Sequence, residues 1–301
     1  MLHLHLPKTA GGSLNRVIYS QVASPDYPSD DDNSIYRGIY YYRTNQRSVT
    51  LKSPVLDIHP AAIDILRTRN LNAVVGHFTF GIHRYLDRNS TYVSLIRNPV
   101  DRIISLYFHY SNRMRNISSN NLPLAQFLNG FPLPVKGLQQ IQTLTDNDQT
   151  RRISGLKTPS GKCTGAMLEV AKKNLKSHFS VVGVTDRFDE MVVLLKRKFG
   201  WSDPHNYWPK HFRGARAEQS PPNKDTVDQI RAGNEYDLEL YEYANELMDE
   251  QIKKSGKAFE HDLSIFRSER AQVMEQVKRQ DPEEHKLLKS ALRRIERDAR
   301  L

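Results

Sequence analysis

Pro7-Lys8-Thr9-Ala10-Gly11-Gly12-Ser13 lies between a short apolar run, Leu2, Leu4 and Leu6, and a segment from Leu14 to Gln21 that can be helical. A stretch of this kind can hold a phosphate. The order of strand, small-residue turn and helix start presents backbone N–H groups and the positive end of a helix dipole to an anion. Gly11 and Gly12 let the main chain come close, Lys8 adds a point charge, and the hydroxyls of Thr9 and Ser13 offer further donors on either side of Ala10. It is not a Walker A loop, in which lysine follows the glycines; here Lys8 precedes them and no Gly-Lys-Ser/Thr comes after. A Gly-Gly turn after a strand is also ordinary punctuation, so the reading calls for a partner motif elsewhere.

Arg97-Asn98-Pro99 supplies one. It ends an apolar strand, Thr91–Ile96, and opens a helical pattern from Pro99 to Arg115, with Ile103, Leu106, Tyr107 and Tyr110 at three-and-four spacing. Arg97 and Ser105 thus flank a helix start, the end suited to an anion. A further buried strand, Leu71–Gly76, delivers His77 at its carboxyl end, and in open α/β sheets that is where ligands bind. An imidazole there can accept a proton near neutrality. His3 and His5 share a strand face but lack a third ligand for a metal site, and His83 and His109 read as ordinary partly buried histidines.

With these residues in view, Pro7–Leu14 resembles the 5′-phosphosulfate loop of sulfotransferases that use 3′-phosphoadenosine 5′-phosphosulfate (PAPS), closest to the family of heparan sulfate 2-O-sulfotransferase and its bacterial relatives. Arg97–Tyr107 resembles the 3′-phosphate segment of such enzymes, and Phe179–Trp201 their later strand and helix. The resemblance runs from about residue 2 to 255. It implies that Lys8, Thr9, Ala10, Gly11, Gly12 and Ser13 hold the 5′ end of PAPS and that Arg97 and Ser105 grip its 3′-phosphate. The family's His-Gly-His segment reads Val75-Gly76-His77 here, so His77 takes the place of the proposed base and Val75 replaces the first histidine. The implied reaction moves a sulfuryl group to a hydroxyl, on a carbohydrate, with His77 as base, Lys8 steadying the leaving group and no metal. The implied fold is α/β, a P-loop-like three-layer sandwich with a central parallel sheet flanked by helices, plus a helical C-terminal extension. Residues 1–255 form the sulfotransferase domain and 256–301 the charged extension.

The whole chain agrees in outline. Its 301 residues can bury a large core, and a net charge of +10 with a pI near 9.5 points to anionic partners. Both charge signs are mixed in the C-terminal segment, which argues for a solvated amphipathic helix or oligomer contact rather than a nucleic-acid arm. One cysteine, Cys163, excludes an intrachain disulfide and a cysteine-based zinc site. No apolar run approaches the roughly 18 residues of a membrane span, and no signal peptide precedes the first strand. Eukaryotic members of the resembled family sit in the Golgi lumen behind an anchor; with the cradle strand beginning at Leu2, the expectation here is a cytoplasmic protein. A noncatalytic binder of acidic glycan or nucleic acid would also account for the charge, and a P-loop kinase would share the fold but needs a Mg²⁺ site and a Gly-Lys-Ser/Thr loop.

Elsewhere, the tyrosine-rich Ile35–Arg43 reads as a ribbon outside the main sheet, and Val55–His59 as a short strand. Pro60 opens a helix to Arg69, a short helix lies near Leu124, and Lys157–Lys162 is a basic loop. Cys163–Leu175 and Phe188–Phe199 are helices around the strand Phe179–Val184. Residues 201–223 are loop, Val227–Lys254 is helix with a break at Gly233, and another helix opens at Asp281.

Overall fold

The computed structural model describes residues 1–24, 26, 35–42, 60–115, 123–129, 141–156, 158–202 and 222–279. The expected strand at Val55–His59, most of the 201–223 loop and the helix opening at Asp281 lie outside the described residues.

Six strands form one sheet in the order β2-β3-β4-β1-β5-β6. Strand β1 (Leu2–Leu4) is central, parallel to β4 (Ala73–Gly76) on one side and to β5 (Tyr92–Ile96) on the other. Strand β6 (Phe179–Val184) extends the sheet beyond β5, again parallel. These strands read as nearly unbroken apolar runs because helices cover both faces, the usual condition of a parallel sheet. All five residues of β5 are buried.

The tyrosine ribbon departs from expectation. Ile35–Tyr36 (β2) and Ile39–Tyr42 (β3) do form a hairpin, but β3 pairs in parallel with β4 from Ile39↔Ala73 to Tyr42↔Gly76 and belongs to the main sheet. Its tyrosines pack: the rings of Tyr42 and Phe78 meet edge to face at 5.8 Å, and those of Tyr40 and Tyr42 at 6.2 Å.

Helix α1 (Gly11–Val22) starts three residues earlier than the apolar pattern suggests, because Gly11 and Gly12 already have helical backbone. Helix α2 (Pro60–Thr68) precedes β4, and α3 (Pro99–Arg115) follows β5 with Pro at its first position, where no N–H is needed. The Asn98 side chain accepts a 3.0 Å bond from the Val100 N–H and caps α3. Two short helices, α4 (Leu124–Leu128) and α5 (Ile141–Leu144), lead to α6 (Asp148–Ser154). Then come α7 (Gly165–His178), capped by Thr164, and α8 (Phe188–Phe199), closed by Gly200 in left-handed conformation at φ 65°.

The break expected at Gly233 is real. Helices α9 (Lys224–Ala232) and α10 (Glu235–Ser255) flank Gly233 and Asn234, and buried Asn234 donates to Ile230 O at 2.9 Å and to Thr145 O at 2.8 Å. Helix α11 (Lys257–Arg279) packs on α8, and its Phe259, Leu263 and Phe266 share the main core.

A buried ionic network ties α3, α6 and α10 together. Arg102 is fully buried, donates to Leu144 O at 2.6 Å, and stands 3.6 Å from Asp148 and 3.8 Å from Asp237. Asp237 in turn accepts from the N–H groups of Gln149 (3.2 Å) and Thr150 (2.8 Å), capping α6 from α10. Removing Arg102 takes the counter-charge from buried Asp237, while Asp148 keeps Arg152, and breaking a buried pair typically costs about 3–5 kcal/mol. Arg102→Ala is therefore expected to lower urea stability by about that amount at pH 7. Part of the loss should return as the pH falls, since buried carboxyls without their cation have raised pKa values and are tolerated once neutral. A variant that unfolds at the wild-type urea midpoint would show the network to be dispensable.

Candidate active site

The residues singled out in the sequence converge at one edge of the sheet. Lys8 follows β1, His77 follows β4 and Arg97 follows β5, so all three leave carboxyl ends of neighbouring parallel strands.

The loop between β1 and α1 is held in an uncommon conformation. Lys8 (φ 67°) and Ala10 (φ 64°) both lie in the left-handed region, which non-glycine residues enter at a cost of about 1–2 kcal/mol each. Bonds from several elements keep them there. Thr9 Oγ1 donates to Leu6 O (2.9 Å), Arg97 Nη1 donates to Lys8 O (3.0 Å), and Thr185 Oγ1, beyond β6, donates to Thr9 O (3.1 Å) and Ile96 O (3.3 Å). The Thr9 hydroxyl proton is therefore committed inside the loop, a correction to the expectation that it faces a ligand. Left-handed kinks of this kind turn successive N–H groups toward one point. Among the described residues nothing accepts from the N–H groups of Thr9, Ala10, Gly11 or Gly12, while Ser13 N–H bonds to Ala10 O at 2.9 Å. Among the described residues a Cβ built on Gly12 would meet nothing within 4 Å, so no described side chain crowds that face of the loop.

Gly11 is required for a different reason. A Cβ there would fall 1.9 Å from Cδ2 of His5, whose ring lies against the start of α1. The His5 ring also packs on His77, with centroids 4.2 Å apart, and on His3, stacked at 5.4 Å. His3 is fully buried and bonded through Nδ1 to Asn15 Oδ1 at 2.5 Å.

His77 is exposed at the mouth of the site, and its Nδ1–H donates to His5 O at 2.7 Å. That bond fixes the tautomer and leaves Nε2 as the proton acceptor. Desolvation first, and then the charge of Arg152, push the His77 pKa down to about 4, against the opposing pull of the His5 carbonyl and Asp148. The exposed face of the ring tempers this shift, and its direction is what matters: the imidazole is neutral. His3 is pushed down to about 4 by burial and His5 well below the usual histidine value by burial and then by His77.

Arg97 is positioned by a residue outside the sequence motifs. Gln149 accepts from Arg97 N–H through Oε1 (3.0 Å) and donates through Nε2 to Arg97 O (2.8 Å). Ser105 stands two turns into α3, half-buried, with no hydrogen-bond partner among the described residues. Arg152 also went unrecognised in the sequence. Its carbonyl accepts from Phe80 N–H (2.9 Å), which brings α6 against the segment following His77, and its Nε bonds Asp148 at 2.9 Å. No periodic signal marks α6, because the face it buries carries Asp148, Gln149, Thr150 and Arg151.

A five-stranded parallel array flanked by helices, with a helix opening directly after its central strand, defines a P-loop-like α/β protein. Residues 53–295 match the family described as galactose-3-O-sulfotransferase, and the chain belongs to that family. It is 24% identical over 208 residues to galactose-3-O-sulfotransferase 3 of Bos taurus, covering 67% of this chain and 47% of the relative. Human heparan-sulfate 6-O-sulfotransferase 1 is 23% identical over 286 residues, covering 84% of this chain and 66% of that protein. The heparan sulfate 2-O-sulfotransferase hst-2 of Caenorhabditis elegans is 26% identical over 200 residues, covering 60% of this chain and 59% of its own length. The chain thus spans about half the length of the first curated relatives it matches. Membership of a sulfotransferase family disfavours both the noncatalytic binder and the kinase.

These matches also overturn the cytoplasmic expectation. They are to galactose and heparan sulfate sulfotransferases, the kind of enzyme that the family resemblance sets in the Golgi lumen. A chain spanning half of such relatives carries no information at its first residue about a leader or anchor. Among the described residues no helix is long and apolar enough to cross a membrane.

The histidine column sets an acid limit on the fold. A histidine whose folded pKa lies below its unfolded value of about 6.5 stabilises the fold fully above that value and loses the contribution as pH falls toward the folded pKa. For His3, at about 4, the window runs from pH 6.5 down to 4 and is worth up to about 3 kcal/mol. Urea stability should fall across that window in wild type, and His3→Phe should flatten the slope; an unchanged slope would assign the acid sensitivity to other groups.

Proposed function

We propose that this protein transfers the sulfuryl group of PAPS to a hydroxyl of a carbohydrate, producing PAP and a sulfate ester. The observation that carries the reading is the set of unpartnered N–H groups in the cradle after β1, beside His77 and Arg97, in a chain of a sulfotransferase family. The residues fit the donor. The open face at Gly12, the charge of Lys8 and the N–H groups from Thr9 to Gly12 suit the 5′-phosphosulfate end, and Arg97 and Ser105 on α3 suit the 3′-phosphate.

In this scheme the acceptor oxygen bonds to sulfur as the bond from sulfur to the 5′-phosphate oxygen breaks, with the electron pair staying on that oxygen. Lys8 and the cradle N–H groups stabilise the charge that collects there, an arrangement already in place before reaction. His77 takes the acceptor proton at Nε2, since Nδ1 is committed to His5 O. Its lowered pKa keeps it competent at mildly acid pH, at the expense of basicity.

Calorimetry tests the donor site. Wild type should bind PAP more tightly than AMP, and Arg97→Ala should erase most of the difference by removing charge-assisted hydrogen bonds to the 3′-phosphate. An intact preference in the mutant would place that phosphate elsewhere.

Labelled PAPS offered with neutral and acidic oligosaccharides tests the chemistry. His77→Asn should lose on the order of a hundredfold or more in kcat, within the range for a lost general base, while PAP affinity stays near wild type. Wild-type kcat/KM for PAPS, which reports the free enzyme, should also hold below pH 6.5, because it declines only as His77 is protonated. Near wild-type turnover in the Asn variant would move the base to another residue.

A further inference from the structure

Where β1 and β4 part at their carboxyl ends, His5 occupies the last shared rung. Its N–H donates to Gly76 O at 2.9 Å, in register with Leu4↔Gly76. The next acceptor on β1, His5 O, would ordinarily take a backbone N–H from β4, and here it takes Nδ1–H of His77 instead, at 2.7 Å. The main chain of His5 therefore grips the residues on both sides of the Gly76–His77 peptide bond. Its side chain does a second job. The ring touches both the first residue of α1 and the His77 imidazole, with no room for a Cβ on Gly11 and 4.2 Å between the two histidine centroids.

We propose that His5 is a positioning residue of the transfer site: its carbonyl selects the His77 tautomer, and its ring, wedged against Gly11, sets the distance between the base and the phosphate cradle. This rests on the sulfotransferase reading above. A base must stand within hydrogen-bond reach of the acceptor oxygen while that oxygen lines up with sulfur, and misplacement by about 1 Å can cost a hundredfold. Cradle and base arise from different strands, and His5 is the side chain that touches both. Its ring also withholds water from one face of His77. The other titratable or charged groups acting on this pair are His3 and Lys8 from β1 and the cradle, and Arg152 and Asp148 from α6.

The experiment compares His5→Phe, His5→Ala, Gly11→Ala and the double variant His5→Ala/Gly11→Ala. Each is measured by kcat and KM for an accepted oligosaccharide, PAP calorimetry, thermal melting, and NMR titration of His77. His5→Phe keeps ring and carbonyl and should stay within a few-fold of wild type. His5→Ala should lose tenfold or more in kcat with little change in PAP affinity, and the His77 titration should move up toward the ordinary imidazole range as water reaches the ring. Gly11→Ala should lose kcat as well, because its methyl displaces the His5 ring. The double variant should be no slower than His5→Ala, since the new methyl occupies the space that the ring vacated.

Wild-type kcat and an unshifted His77 titration in His5→Ala would overturn the proposal, as would losses that simply multiply in the double variant. If His5→Ala melts below the assay temperature, Gly11→Ala and its rescue by His5→Phe/Gly11→Ala decide: no rescue is expected, because the Phe ring still meets the methyl, and full rescue sinks the wedge. Absence of transfer by wild type would defeat the functional reading alone, because the NMR titration reads the coupling of His5 to His77 without turnover.

Discussion

The turn between β1 and α1 keeps two non-glycine residues, Lys8 and Ala10, in left-handed backbone, and the carboxyl edge of the sheet is organised around holding it there. Strain of this kind persists only where the surroundings over-determine it. Here the restraints come from the loop itself through Thr9, from the end of β5 through Arg97 and from beyond β6 through Thr185. Because those braces leave strands already locked in one parallel sheet, the cradle is formed before any anion arrives. Donors that need no reorganisation stabilise developing charge most effectively. The same braces fix where Arg97 stands, so the two motifs hold each other: Arg97 supports the Lys8 carbonyl, and Gln149 clamps Arg97 on both backbone groups.

What the sequence made legible follows from apolar patterning and punctuation. Strands β1, β4, β5 and β6 are apolar runs bounded by polar or turn residues, and Pro99 and Gly200 mark helix ends through their φ preferences. Three features escaped for physical reasons. Strand β3 was read as an excursion because its tyrosines resemble a half-exposed ribbon, whereas its place in the sheet depends on pairing with β4, a long-range register no local pattern records. Helix α6 buries polar residues, so it has no apolar stripe; the clusters of Asp, Asn and Arg that look like loop are satisfied by Arg102 and Asp237 from distant elements. The ring of His5 gave no signal either, since a histidine on a buried strand carries no mark of what it touches.

The cradle and the family pattern are complementary. The matched region, residues 53–295, includes His77, Arg97 and Ser105 but starts well after Lys8, so the family assignment and the geometry of the loop after β1 are independent observations. Acceptor choice in such folds rests on loops that rise above this edge. The relatives carry galactose and heparan sulfate in their names, acceptors that differ in charge, and the +10 balance of this chain does not by itself select between them.

Electrostatics at His77 are arranged in opposition to what the donor brings. In the protein alone, burial and Arg152 disfavour the imidazolium, so the His77 ring is kept neutral. On the sulfotransferase reading proposed above, a bound donor would place several negative charges beside it, and a nearby negative charge raises an imidazole pKa. On that reading the group is a weak base before the donor binds and a stronger one once the donor sits in the cradle. Asp148 holds the Arg152 Nε at 2.9 Å and so anchors the guanidinium whose charge acts on His77. Had a carboxylate stood where Arg152 is, His77 would carry a proton at mildly acid pH before the acceptor arrived, and the same geometry would be unable to accept another.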